Sequence, residues 1–167
     1  MRFLEISEVE EWCVERRIAL AEGETRVAPD PSLSHAARTV YANGSRSGRE
    51  LAIAATAVRK LGDWDECLLW VTLVGVWPSG EDWPAYYALR GAEGERRSLE
   101  KAPGHLFEAG EQGKLERFLT AAMENGWDTY ALPARDGQTA DVRLRVSHDE
   151  WVELQARAPV EFSPPAV

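Results

Sequence analysis

The stretch ECLLWVTLVGV, residues 66–76, is apolar almost throughout and rich in β-branched side chains. Apolar runs of this kind are typical of a central strand that is covered on both faces of a sheet. The longest apolar run, from Cys67 to Trp77, is 11 residues long, which is too short to span a bilayer. We therefore expect a buried strand here, with the rest of the fold arranged around it.

The segments that follow predict more strands and one clear helix. Residues 85–90 (AYYALR) alternate as a strand does, and a turn at 91–95 leading into 96–100 predicts a hairpin. A short strand or bridge is expected at 105–109. Residues 142–146 alternate between apolar and charged side chains, which indicates a half-buried strand. The helix is marked by apolar residues at helical spacing and ends at an Asn-Gly pair: Leu115, Phe118, Leu119, Ala122, Asn125 and Gly126.

The segments that precede the apolar run predict two helices. Residues 7–10 (SEVE) and 47–50 (SGRE) both have the pattern of a capping box, in which a serine and a glutamate satisfy the first free amides of a helix. The first helix is expected to continue to Gly23 and the second to Gly62. The pattern at 34–43 suggests a further short helix.

These elements predict an α+β fold, in which helices pack on a mostly antiparallel sheet that is preceded by a helical N-terminal arm. We expect a single domain over residues 1–167. It comprises a neutral helical part at 1–62, an acidic α+β body at 63–157, and a loose, proline-containing tail at 158–167.

The body resembles a known family through four segments that occur in order: WVTLVGVWPSGEDWPAYYALR (70–90), APGHLFE (102–108), GWDTYAL (126–132) and VSHDEW (146–151). The family consists of small bacterial soluble proteins without an assigned activity, and the resemblance covers residues 66–155. It implies a stand-alone bacterial domain. At the level of the fold alone, the arrangement is also similar to immunity proteins of polymorphic toxin systems.

The charge of the chain excludes several classes of protein. The 28 acidic and 19 basic residues leave a net charge of −9, and the excess acid lies beyond Gly62. Nucleic acids and anionic membranes are therefore unfavourable partners. The N-terminus has no secretory signal pattern, and two cysteines form neither a disulfide framework nor a metal knuckle. We expect a cytoplasmic protein; the sequence leaves its oligomeric state open.

No convergent catalytic set is visible, so we predict no catalytic residue, metal or cofactor. The string Ser147 to Glu150 (SHDE) contains triad residue types, but consecutive side chains point apart, and a capped turn is expected instead. His105 is expected to be buried and to donate to a carbonyl group. Cys67, at the start of the apolar run, is expected to be an inert core cysteine rather than a nucleophile paired with His105.

The loop after the apolar run is the strongest candidate for a binding site. Two Trp-Pro pairs, Trp77-Pro78 and Trp83-Pro84, bracket an acidic stretch. Carboxylates and rigid aromatic rings suit a cationic surface, because they combine ion pairing with cation–π contact. The predicted partner-binding residues are Trp77, Glu81, Asp82, Trp83, Tyr86, Tyr87 and Glu93.

Two functions are compatible with these patterns. The first is a non-enzymatic acidic protein-binding module, such as an immunity or inhibitor protein that occludes a basic partner, for example a toxin. The alternative is a small-ligand-binding protein or a small enzyme, with a pocket at one end of the sheet. There Trp77 and Tyr87 would line the pocket beside His105, His148 and Asp149, and a histidine would act as general base.

Overall fold

The computed structural model of the protein describes residues 1–22, 26–41, 48–73 and 83–164. Within these residues, four helices pack on one antiparallel sheet of eight strands, which confirms the predicted α+β class. The elements are, in chain order, β1 (Arg2–Leu4), α1 (Ile6–Glu15), β2 (His35–Val40), α2 (Arg49–Leu61), β3 (Glu66–Leu73), α3 (Trp83–Ala92), β4 (Gly104–Glu108), α4 (Gln112–Glu124), β5 (Asp128–Arg135), β6 (Gln138–Thr139), β7 (Val142–Ser147) and β8 (Trp151–Ala156).

Strand β3 lies inside the sheet, as its apolar sequence predicts. The strand order is β1-β4-β3-β5-β7-β8-β2, and β6 pairs with β5 off this path. Residues 67–71 of β3 are buried, because helices or loops cover both faces of the sheet at this point. The predicted helix α4 and the predicted strands β4 and β7 are also present.

Each face of the sheet has its own apolar core. Helices α2, α3 and α4 cover the first face, and the core beneath them includes Ile53, Phe107, Leu119 and Leu144. On the second face, α1 and the chain that follows it cover a smaller core that includes Val9, Trp12, Trp70 and Tyr130. Four residues of α4 at helical spacing are buried in the first core: Leu115, Phe118, Leu119 and Ala122.

The N-terminal part is not an arm of helices alone. β1 pairs with β4 and β2 pairs with β8, so residues 1–62 supply both outermost strands of the sheet. The helix expected at 34–43 was wrong: His35–Val40 is a strand, because pairing with β8 satisfies its backbone. Helix α1 ends at Glu15 rather than near Gly23. Its N-cap is Glu5, two residues before the expected Ser7, and the Glu8 side chain accepts a hydrogen bond from the Glu5 amide at 2.7 Å.

The hairpin predicted at 85–100 was also wrong. Residues 83–92 form α3, and residues 93–103 contain neither a helix nor a strand. Proline is compatible with the first turn of a helix, because the amide that it lacks would have no partner there, and Pro84 occupies such a position. Tyr86 and Arg90, four residues apart, form the buried side of the helix.

The C-terminal tail is partly anchored. Phe162 is 7% exposed and belongs to the first core, so the tail is not loose as far as this residue. None of the described helices combines the length and apolar character that crossing a membrane requires.

Candidate functional site

The two ends of the predicted binding loop lie beside the start of β5. Across the sheet, Leu73 is paired with Asp128. The rings of Trp83 and Trp127 meet edge to face, with centroids 5.4 Å apart. The connecting residues 74–82, which include the predicted Trp77, Glu81 and Asp82, lie outside the described residues. The structure therefore fixes where this segment leaves and re-enters the fold.

Asp128 is the central side chain at this end of the sheet. It is 4% exposed, and its Oδ1 accepts a hydrogen bond of 2.8 Å from the backbone amide of His148. The same oxygen lies 3.1 Å from Nδ1 of His148. Because a carboxylate only accepts hydrogen bonds, this contact places a proton on Nδ1. The buried carboxylate thus fixes both the backbone and the ring orientation of His148.

The turn that carries His148 is capped in the way the sequence predicts. The Ser147 hydroxyl accepts a hydrogen bond from the Asp149 amide at 3.2 Å, and the Glu150 amide donates to the Ser147 carbonyl at 3.1 Å. Glu150 has a φ of 62°, in the left-handed region that tight turns use. This end of the sheet therefore holds a structural turn, and its consecutive residues do not converge as a triad.

His148 turns its second nitrogen toward solvent and another acid. Its side chain is 27% exposed, and Nε2 lies 3.6 Å from Oδ1 of Asp149, whose side chain is 70% exposed. A carboxylate is not a group that a general base activates. His148 is thus held between two acids, one buried and one exposed.

Tyr41 lies among several carboxylates at this end of the sheet. The Tyr41 hydroxyl donates to the Ser147 carbonyl at 2.8 Å. Burial raises the pKa of Tyr41, and four nearby carboxylates raise it further, namely Asp128, Glu150, Glu50 and Asp149. The end of the sheet at which residues 74–82 attach is consequently acidic, even before Glu81 and Asp82 of that segment are counted. We call the set Asp128, His148, Asp149 and Glu150 the acidic end.

The structure distributes the other predicted partner-binding residues over several environments. Trp83 is half-buried against Trp127, whereas Tyr86 is fully buried in the first core. Tyr87 is half-buried, and its hydroxyl accepts a hydrogen bond from the Leu99 amide at 3.1 Å. Tyr86 is therefore a core residue and offers no surface to a partner.

Glu93 is engaged within the protein itself. Its carboxylate lies 2.7 Å from Nζ of Lys114 on α4, and its side chain is 23% exposed. This ion pair joins the end of α3 to α4, so Glu93 already has a cationic partner.

The second predicted histidine, His105, lies in the interior rather than in a pocket. It is fully buried; its Nδ1 lies 3.1 Å from the carbonyl oxygen of Pro103, as predicted, and its Nε2 lies 2.9 Å from Nη1 of Arg90. Burial, reinforced by the charge of Arg90, lowers the pKa of His105 to about 3. Strands β3 and β5 separate its strand from β7, a distance of about 14 Å. The structure therefore does not bring His105 and His148 into one pocket.

Both cysteines are enclosed. Cys67 is fully buried opposite Phe107, and burial raises the pKa of its thiol. Burial likewise raises the pKa of Cys13 to about 12. The predicted core position of Cys67 is therefore confirmed, and a raised thiol pKa disfavours the thiolate that a reactive cysteine needs.

Within the described part of the chain, no group of three or more histidine, cysteine, aspartate or glutamate side chains is arranged to hold a metal ion. Comparisons with protein-family models, with curated proteins and with solved structures find no match. The family resemblance of residues 66–155 and the similarity to immunity proteins accordingly stay predictions.

Sequence analysis did not single out Asp128, Tyr41 or Arg90. A signal was present for Asp128, which is the one acidic residue of β5 and precedes a mostly apolar stretch. For Tyr41 no local signal exists, because its partner Ser147 lies 106 residues further along the chain.

Proposed function

We propose that this protein is a non-enzymatic binding protein that docks on a basic protein partner through the acidic end of its sheet, as an immunity or inhibitor protein would. One observation carries the proposal. The flanks of the aromatic and acidic segment 74–82, at Leu73 and Trp83, are both held beside Asp128 and Trp127. Both flanks of the segment thus lie at the acidic end.

Electrostatics supports a cationic partner. Asp149 and Glu150 are exposed at this end, and Glu81 and Asp82 add two further acids within the attached segment. Clustered charge of one sign attracts an oppositely charged protein before contact and raises the association rate, and salt weakens the effect. A basic toxin or nuclease has the surface that such a cluster would attract.

The mechanism we propose is occlusion. Trp77 and Trp83 would serve as apolar anchors, with Glu81 and Asp82 as charge partners for arginine or lysine. The exposed carboxylate of Asp149 would extend this contact along the edge of the sheet. Tyr86 is left out of the docking surface because it is buried.

The proposal is tested with two variants that have the same total charge. In Glu81→Lys/Asp82→Lys, the acids of the segment are reversed. In the control, Asp63→Lys/Glu108→Lys, two exposed acids are reversed at the opposite end of β3, where Glu66 pairs with Glu108. Tagged protein is mixed with an extract of its own organism and washed at about 50 mM and then about 500 mM salt, a range over which surface charge is strongly screened.

We expect a stoichiometric basic protein to be retained by the wild type and by the control at low salt, and to be released at high salt. The segment variant should retain none of it. If no protein is retained at either salt concentration, or if both variants lose it equally, docking at the acidic end is excluded.

The alternative, a small enzyme that uses a histidine base, has one feature in its favour: the buried Asp128 orients His148. Its Nε2, however, lies near a carboxylate rather than near a group that it could deprotonate. His105 has no exposed surface, so substrate has no access to it. We therefore favour binding over catalysis.

A further inference from the structure

Within the described residues, the apolar core on the second face of the sheet extends over only part of its width. Helix α1 packs on the part formed by β1, β4, β3 and β5, where Val9 and Trp12 contact the second core. Neighbouring partners in a sheet point to the same face. A row of partners therefore continues this face over β7, β8 and β2, and it runs from Trp70 through Tyr130, Arg145 and Glu153 to Arg38.

Beyond this core, the same face presents arginines around an indole ring. The guanidinium carbon of Arg38 lies 4.0 Å from the ring centroid of Trp151, and that of Arg145 lies 5.0 Å from it. Arg38 also donates two hydrogen bonds to Glu153, at 3.1 and 2.8 Å. Beside Trp151 in the register lies Val40, which is 61% exposed. We call Arg38, Val40, Arg145 and Trp151 the arginine shelf.

The covered part presents the opposite charge. The buried side of α1 consists of Val9, Trp12 and Cys13, so residues half a turn away point outward. The outward residues are Glu10, Glu11, Val14 and Glu15, all of them exposed, and we call them the acidic ridge. Val14 is 68% exposed and, with Val40, it is the most exposed of the large apolar residues in the described ranges.

We propose that the arginine shelf is the docking site for the acidic ridge of a second copy of this chain, related by a two-fold axis. Ridge and shelf lie side by side on the same face, one formed by a helix and the other by strands of the sheet. Two copies placed face to face can thus fit each ridge onto the opposite shelf. Such a contact is isologous and closes at two subunits. It places Val14 and Val40 in an interface and sets carboxylates against guanidinium groups.

The net charge of −9 does not prevent this association in salt. At about 0.15 M ionic strength, electrostatic interactions are screened over about 8 Å, whereas pairs in contact are screened less. Salt therefore weakens the long-range repulsion between two negatively charged chains more than it weakens the attraction between charged groups in contact. The shelf adjoins the acidic end, because Trp151 follows Glu150 and pairs with Ser147, but it consists of different residues. The proposal does not depend on the function proposed for the acidic end.

The first test measures molar mass by sedimentation equilibrium from about 10 to about 500 µM protein, a range that covers weak interfaces. We expect the mass to rise toward that of a dimer. The variants Val14→Ser and Val40→Ser should each reduce dimerisation about tenfold. The control Leu51→Ser, on α2 above the other face of the sheet, removes a residue that is 51% exposed and should leave dimerisation unchanged.

The second test exchanges charges between the two surfaces. Glu11→Arg and Arg38→Glu should each weaken dimerisation about tenfold, and the double variant should recover most of it, because the charges are again opposite. The fold of each single variant is checked separately by its circular dichroism spectrum, because Arg38→Glu also removes the ion pair with Glu153.

Three results would overturn the proposal. The first is a wild type that remains monomeric throughout the concentration range. The second is a dimer that the Leu51 variant disrupts and the valine variants do not. The third is a shelf that binds an acidic peptide or an oligonucleotide while the chain stays monomeric.

Discussion

Nη1 of Arg90 lies 2.9 Å from Nε2 of His105, and both side chains are fully enclosed in the protein. A guanidinium group only donates hydrogen bonds, so the imidazole accepts through Nε2. Nδ1 therefore carries the proton and donates to the Pro103 carbonyl at 3.1 Å. The contact fixes one tautomer of a neutral histidine and connects α3 to β4.

The first prediction concerns the replacement Arg90→Met. Arg90 donates to the carbonyl groups of Ala102 and Arg97, at 3.0 and 3.1 Å, as well as to His105. Methionine has a similar length but takes the donor away from the carbonyl groups of Ala102 and Arg97, and each such loss costs about 1–3 kcal/mol. It leaves His105 Nε2 with the Tyr86 hydroxyl, 3.3 Å away. Removal of the buried charge offsets part of that cost. We expect the free energy of unfolding to fall by about 2–4 kcal/mol in urea denaturation at pH 7.

The matched control is Arg96→Met, because Arg96 is exposed. Exposed substitutions of this kind change stability by about 0.5 kcal/mol or less. Equal stability of the Arg90 variant and the wild type would mean that the hydrogen bonds of Arg90 only compensate for the burial of its charge.

The second prediction is an acid sensitivity that arises from His105. Its pKa in the folded protein is about 3, because burial and the charge of Arg90 disfavour protonation, whereas an unfolded histidine titrates near its ordinary value of 6.5. Between these values the unfolded chain binds one more proton, so stability falls as the pH falls below about 6.5. We expect a loss of about 2–3 kcal/mol between pH 7 and pH 4.5, measured by urea denaturation.

The carboxylates contribute in a different pH range. The pKa of Glu95 is lowered to about 2 by hydrogen bonds from Arg97, against the effect of burial. Its stabilisation is therefore lost only as the pH falls from about 4.5 toward 2. Imidazole nitrogen shifts in NMR distinguish the two groups, since those of His105 should keep the pattern of a neutral ring down to about pH 4. Protonation of His105 near pH 6 in the folded protein would contradict the assignment.

Elements with one strong local pattern could be predicted from sequence. The apolar run gave β3, the spacing of Leu115 and Phe118 gave α4, and the alternation of residues 142–146 gave β7. Each pattern records which sides of that helix or strand are buried, and this can be recognised from the sequence of the element alone.

Elements whose state depends on distant partners could not be predicted. The β2 sequence HAARTV is weakly patterned, and it is a strand because β8, more than 100 residues away, pairs with it. The sequence of α3 misled for a different reason. Its buried side contains the charged Arg90, and a charged residue indicates an exposed position. The helical spacing of Tyr86 and Arg90 was therefore hidden, and the segment had the alternation of apolar and polar residues that is typical of a strand.

The candidate site was predictable in composition but not in geometry. The sequence predicts Trp83 as a partner-binding residue, and His148 and Asp149 as residues of the alternative pocket. The structure places all three at the same end of the sheet. The groups that organise this end, Asp128 and Tyr41, were not identified. Their contacts with residues 147 and 148 join strands that are distant in sequence.

The third prediction concerns Gly104, where β4 passes closely beneath the N-terminal segment. A β-carbon at this position would overlap the Val9 side chain and lie 3.0 Å from the β-carbon of Leu4. Both neighbours are buried, so neither can move away freely. We expect Gly104→Ala to destabilise the protein by about 1–3 kcal/mol, the usual cost of overpacking a core.

The control is Gly113→Ala, within α4, where the added methyl group meets no atom within 4 Å. This variant should stabilise the helix by about 0.5–1 kcal/mol, since alanine favours the helix more than glycine does. Thermal unfolding of the two variants thus shifts in opposite directions, whereas a Gly104 variant as stable as the wild type would show that α1 can be displaced from the sheet at little cost.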